Sequence, residues 1–265
     1  FKLKGVKITL SGPEPGAPAH LFDAYPEALN VTNGFFWKMV EKRTTEIFRL
    51  IPEADCIEGY LFETPLLNDD NFFKDFYWSG PNPVDGIGGP KQIYTPADYI
   101  TQLAAALSRG AQAAGKEYML LTFSHYPWQE NVLIEALRQL DQNVPLTLDH
   151  KCQPGDWDPY RPANNVMLKI THRPAMLLYD GTGEYWGQSL TPYCYPEEIR
   201  QRLQDAMRHN PSINALGMRV HWSDGNNVFG AFNEVNFYAL SRLANDPDTP
   251  VDQIWSDWAG KRFGK

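Results

Sequence analysis

Cysteine is scarce in this chain of 265 residues, with Cys56, Cys152 and Cys194 the only three. Their odd number, wide spacing and lack of any CxxC or Cys/His ligand pattern argue against a disulfide framework or a zinc site. Long apolar runs are missing as well. None approaches the roughly 18 unbroken apolar residues of a membrane span, and the longest, such as 118–123, are strand-sized. Basic clusters are absent and the net charge is −8, so nothing here is built to neutralise nucleic-acid phosphates. No GxGxxG follows a strand-like run, and neither a Walker sequence nor a GxSxG elbow occurs. Nucleotide-binding doubly wound folds and serine-elbow hydrolases therefore find no support.

What is present is an ordinary globular composition, 43% hydrophobic and 21% charged. Its length suits one barrel or one to two smaller domains. Aromatics reach 13%, with eight Trp and thirteen Tyr, which suit sugar stacking as well as barrel cores.

Strand-like and helix-like segments alternate along the chain. Residues 5–11 (GVKITLS) read as a strand ended by the breaker run 12–16. Asn33 is a candidate cap for a helix through Trp37, Val40, Ile47 and Leu50, stopped by Pro52. A strand at 57–62 leads into a long loop, 63–93. Thr95-Pro96 opens a helix through Ala114, with proline at the first helical position. Strand 118–123, helix 129–140 and strand 146–150 follow. A weaker strand is expected at 166–171, then a firm one at 175–179, a helix at 196–209 and a strand at 216–220. Residues 232–263 read as two helices joined by 245–248.

This order predicts an α/β fold with a parallel sheet. The expected architecture is a (β/α)8 TIM-type barrel, although six firm strands and one weak one fall short of eight. The barrel would span 1–222, with a helical C-terminal extension over 223–265.

In such a barrel the chemistry sits just past the carboxyl ends of the strands. Three carboxylates meet that condition: Glu63, Asp156 and Glu184. Glycosidic bonds are commonly cleaved by such groups, one acid protonating the leaving oxygen and another carboxylate activating water or attacking. Each also has a plainer reading. Glu63 suits a loop start paired with a lysine, and Asp156, between Gly155 and Trp157, suits a turn. Glu184 in GEYWGQ stands among glycines and aromatics, a composition that lets a ligand approach the backbone. Ser124-His125 and the Cys152 thiol near His150 lack the partners that would activate a nucleophile. His125, His150 and Trp222 are instead candidate substrate contacts at strand ends, and Trp157, Tyr185 and Trp186 candidate sugar platforms.

Several segments resemble the catalytic domain of the α-glucuronidases of glycoside hydrolase family 67. They are WKMVEKRTTEIFRLIP (37–52), KCQPGDW (151–157), PAMLLYDGTGEYWGQ (174–188), and the closing stretches at 233–247 and 254–264. Asp156 and Glu184, 28 residues apart, fall on the family's paired acidic motifs. The resemblance implies an inverting hydrolase that trims uronic acid from xylan side chains. In it Asp156 and Glu184 activate water and Lys151 helps to hold the sugar carboxylate. It also implies that the chain starts at the barrel's third strand, without the family's N-terminal domain.

The departures are specific. Where the family has KANSEG after the fourth strand, this chain reads FETPLL, so Glu63 stands at the family's Lys and Leu67 near its acid. The family's Arg in WRAFVY is replaced around Ser124-His125-Tyr126. Glu63 remains the candidate acid, with Asp69 and Asp70 behind it. A barrel hydrolase of a neutral sugar and a non-catalytic carbohydrate-binding barrel are the alternatives. No metal or organic cofactor is implied. The expected partner is an oligosaccharide or polysaccharide, with no nucleic acid and no membrane; oligomeric state and compartment are left open.

Overall fold

The computed structural model describes residues 7–13, 23–26, 34–61, 95–155, 157–158, 160–183, 192–220 and 231–264. Strands and helices alternate through them. The order is β1 (Thr9–Pro13), α1 (Gly34–Leu50), β2 (Cys56–Tyr60), α2 (Pro96–Ala113), β3 (Glu117–Leu121), α3 (Pro127–Gln139), β4 (Thr147–Lys151), α4 (Asn165–Lys169), β5 (Ala175–Asp180), α5 (Pro196–His209), β6 (Ile213–Arg219), α6 (Glu234–Asn245) and α7 (Val251–Phe263). The six strands are hydrogen-bonded in chain order. Their registers run parallel, with Thr9 opposite Cys56, Cys56 opposite Glu117, and Ala175 opposite Ile213. Parallel neighbours joined through helices define the α/β class.

The chain divides into two compact units, Phe1–Leu148 and Asp149–Lys265. In the first, α1 buries Phe36, Trp37, Val40, Thr44 and Phe48, a stripe repeating every three to four residues. Its partner α2 buries Tyr99, Ile100, Leu103, Leu107 and Ala111 among others. Each fully buried aliphatic side chain contributes about 1.5–3 kcal/mol of hydrophobic stabilisation. The start of α2 is fixed locally. Thr95 Oγ1 accepts from the Asp98 amide at 3.1 Å, and the Asp98 carboxylate accepts from the Thr95 amide at 2.7 Å. That reciprocal pair is a capping box, with Pro96 supplying a ready-made helical φ. In the second unit α5 buries Pro196, Ile199, Leu203 and Ala206, and the Tyr179 hydroxyl of β5 donates to the Ile199 carbonyl at 3.3 Å.

One expected element is corrected. The weak strand at 166–171 is instead the short helix α4. Asn164 Oδ1 accepts from the Val166 amide at 2.8 Å and its Nδ2 donates to the Lys151 carbonyl at 3.0 Å. This cap, anchored to β4, outweighs the β-preference of the valine and isoleucine. A boundary also moves: α3 begins at Pro127 rather than 129, because the Gln129 side chain accepts from the His125 and Tyr126 amides.

Candidate functional site

The carboxyl ends of β4 and β5 carry the most structured polar groups of the second unit. Cys152, just past β4, donates its amide to the Leu178 carbonyl of β5 at 3.0 Å, so the two strands leave side by side. The chain reaches residue 156 five positions after β4 ends, and residue 184 four positions after β5 ends.

Past β4, the buried Lys151 ammonium donates to the Gly155 carbonyl and lies 4.5 Å from the centroid of the Trp157 ring. The loop is thereby closed around its own cation, a cation–π contact strengthened by desolvation. Gly155 takes φ +65°, and a Cβ there would meet the Arg161 guanidinium at 2.4 Å. Only glycine fits. Trp157 is 3% exposed. His150 is fully buried, and loss of hydration lowers its pKa to about 3, so the imidazole is neutral.

Past β5, the Asp180 carboxylate accepts from the amides of Thr182 at 3.0 Å and Gly183 at 2.8 Å. Two asparagines at the start of α6 hold this turn from the other side. Asn233 accepts from the Tyr193 amide at 2.7 Å. Asn236 accepts from the Tyr195 amide at 2.8 Å and donates to the carbonyls of Gly181 at 3.1 Å and Tyr193 at 2.5 Å. Gly183, at φ +72°, lies so close to the Tyr193 ring that a Cβ would stand 2.6 Å from it. Residues 180–183 are thus fixed by buried hydrogen bonds, which such low-dielectric surroundings make costly to break.

Of the residues singled out in the sequence, Lys151 and Trp157 are brought together, and His150 is a buried neighbour of Lys151 in the chain. His125, in the first unit, sets its ring 4.5 Å from that of Phe123. Glu63, Asp156, Glu184, Tyr185, Trp186 and Trp222 lie outside the described residues. Asp69 and Asp70 do too. Ser124 is fully buried, and among the described residues its Oγ has no hydrogen-bond partner and no base bonded to it. Burial pushes the Cys152 thiol up to about 12, which keeps it protonated and unreactive near neutrality.

Neither a protein-family model nor a curated protein matches the chain. Among the described residues no group of three or more His, Cys, Asp or Glu is arranged to hold a metal ion, and no helix is long and apolar enough to cross a membrane.

Sequence reading missed the two asparagines. Asn233 is the N-cap residue of α6 and Asn236 lies in its first turn, but nothing local in the sequence links either to residues 180–183 or 193–195.

Proposed function

We propose that this chain forms most of a (β/α)-barrel glycoside hydrolase. Hydrolysis would rest on Asp156 and Glu184 as the pair activating water and Glu63 as the proton donor. The observation that carries this reading is the pairing of β4 with β5 through Cys152 and Leu178, which starts the loops leading to Asp156 and Glu184 from adjacent strand ends. That is where parallel α/β barrels assemble catalytic groups. The buried scaffolds on both sides add support, because carboxylates that share a water must be held within a fraction of an ångström. Inversion requires room for the water, a separation of about 6.5–9.5 Å between acid and base. The α-glucuronidase likeness of the motifs makes a uronic acid side chain of xylan the first substrate to test.

One observation favours a neutral sugar instead. The ammonium of Lys151, the cation that the likeness assigns to the uronate carboxylate, is 4% exposed and donates to Gly155. A cation already satisfied by a carbonyl and a ring face gains little from a substrate carboxylate. The departures at Glu63 and around Ser124-His125 point the same way.

Release of sugar from glucuronoxylan oligosaccharides and from a panel of neutral α- and β-glycosides separates the two readings. Turnover lost in Glu184→Gln is expected with one of the sets. Silence of the wild type on both sets would leave only a carbohydrate-binding barrel.

A further inference from the structure

A cavity lies against α5, within the second unit. It has a volume of about 260 Å³. Its floor is apolar: Cys152, Met167 and Leu177, each at most 4% exposed. Its rim is polar, formed by Arg161 from the loop before α4 and by Glu198, Gln201, Arg202 and Asp205 from α5.

The charges on this rim are unevenly matched. Arg202 Nε pairs with the Glu198 carboxylate at 2.5 Å, and its Nη2 donates to the Arg161 carbonyl at 2.8 Å. Asp205 pairs with Arg208. Among the described residues, the Arg161 guanidinium has no carboxylate partner. Among the described residues the rim therefore presents one planar cation without a carboxylate partner, and Gln201 lines the same rim as a neutral donor. A guanidinium in that state fits a carboxylate through two parallel N–H···O bonds. Glu198 and Asp205 also line the rim, and their negative charge disfavours a phosphate-like dianion more than a monoanion. The apolar floor asks for a compact hydrophobic body behind the carboxylate, and the volume lies just under the range of drug-sized sites, roughly 300–1,000 Å³.

We propose that this cavity is a binding site for a small monocarboxylate with a compact apolar body. Its carboxylate meets Arg161 at the rim and its body rests on Met167 and Leu177. The site does not depend on the hydrolase reading. It does connect to the same loop, since Cys152 and Arg161 flank the segment that contains Asp156.

The test uses benzoate as the probe and benzamide as its uncharged counterpart, titrated calorimetrically into the whole chain at neutral pH. Methionine-methyl NMR reports the location, with the Met167 resonance assigned through Met167→Leu. Saturable benzoate binding with a Kd on the order of 1 mM is expected, together with a shift of the Met167 methyl and at least tenfold weaker binding of benzamide. Arg161→Gln is expected to weaken benzoate about tenfold or more. This side chain is exposed, so a variant with an unchanged melting temperature is anticipated, and Ala163→Phe at the rim provides a second, steric block. No saturable binding by the wild type, equal binding of benzamide, or undiminished binding in both variants would overturn the proposal.

Discussion

The carboxylate of Asp180 accepts the amide hydrogen of Gly183 at 2.8 Å, and this bond closes the turn immediately before residue 184 in the chain. The same carboxylate takes the Thr182 amide and, at 3.3 Å, the Thr182 hydroxyl, so two buried amides and a hydroxyl depend on one side chain. Asp180→Ala is expected to destabilise the protein by about 2–3 kcal/mol, since each orphaned buried donor carries its own desolvation cost. Asp180→Asn keeps one acceptor oxygen but turns an NH2 group toward the other amide, so it is expected to recover only part of that loss. Urea denaturation of the three proteins checks the order, and equal stability of wild type and Asp180→Ala would contradict it.

Asn236 supports that turn from α6 with one acceptor and two donors. Asn236→Ala is expected to cost about 3 kcal/mol. Asn236→Asp is nearly the same shape, yet it is expected to be at least as damaging. It replaces two N–H donors by an oxygen facing the carbonyls of Gly181 and Tyr193, a repulsive arrangement in a buried site. A thermal melt that leaves Asn236→Asp near wild type would show that shape, not polarity, holds the turn.

Gly110 sets two effects against each other. Replacing a mid-helix glycine with alanine ordinarily gains about 1 kcal/mol. Here a Cβ would lie 2.5 Å from the Glu41 carbonyl and 2.6 Å from the Thr44 Cβ, forcing α1 and α2 apart. Overpacking of this kind costs about 1–3 kcal/mol, and the Thr45 hydroxyl bond to the Gly110 carbonyl at 3.0 Å is strained as well. Net destabilisation is expected for Gly110→Ala. A gain in melting temperature would mean that helix propensity wins.

These positions also mark what the sequence made legible. Periodicity and caps were enough for the α/β order: the apolar stripe from Trp37 to Phe48, the Thr95-Pro96 start and the Pro196–His209 helix all follow from local spacing. Residues 166–171 misled because valine and isoleucine look strand-like, whereas the deciding bond comes from Asn164 to Lys151 on another element. The site was partly legible for the same reason. An acid after a strand is visible in a sequence. The claim of Lys151 by Gly155 and Trp157 is not, because it depends on a loop folding back over its own strand end.

His150 gives the protein a defined acid response. Its folded-state pKa of about 3 lies below the usual 6.5, because burial disfavours the charged ring. Between those two values the unfolded chain binds the extra proton, so this contribution to stability is fully present above pH 6.5 and is lost as pH falls toward 3. Over pH 6.5 to 4 the loss is on the order of 3 kcal/mol. His150→Gln removes the titration, and unfolding free energies at those two pH values are expected to differ by correspondingly less in the variant. An identical pH dependence in both proteins would remove His150 from the acid response.

In the proposed hydrolase, loops starting at the paired ends of β4 and β5 deliver two carboxylates to one water. Product anomers from glucuronoxylan oligosaccharides and the neutral glycoside panel, followed by NMR in the first minutes of reaction, test it most directly. A released sugar of inverted configuration is expected, with at least a hundredfold lower rate in both Asp156→Asn and Glu184→Gln, the loss typical of a general base. Retained configuration, or full activity in either variant, would contradict it.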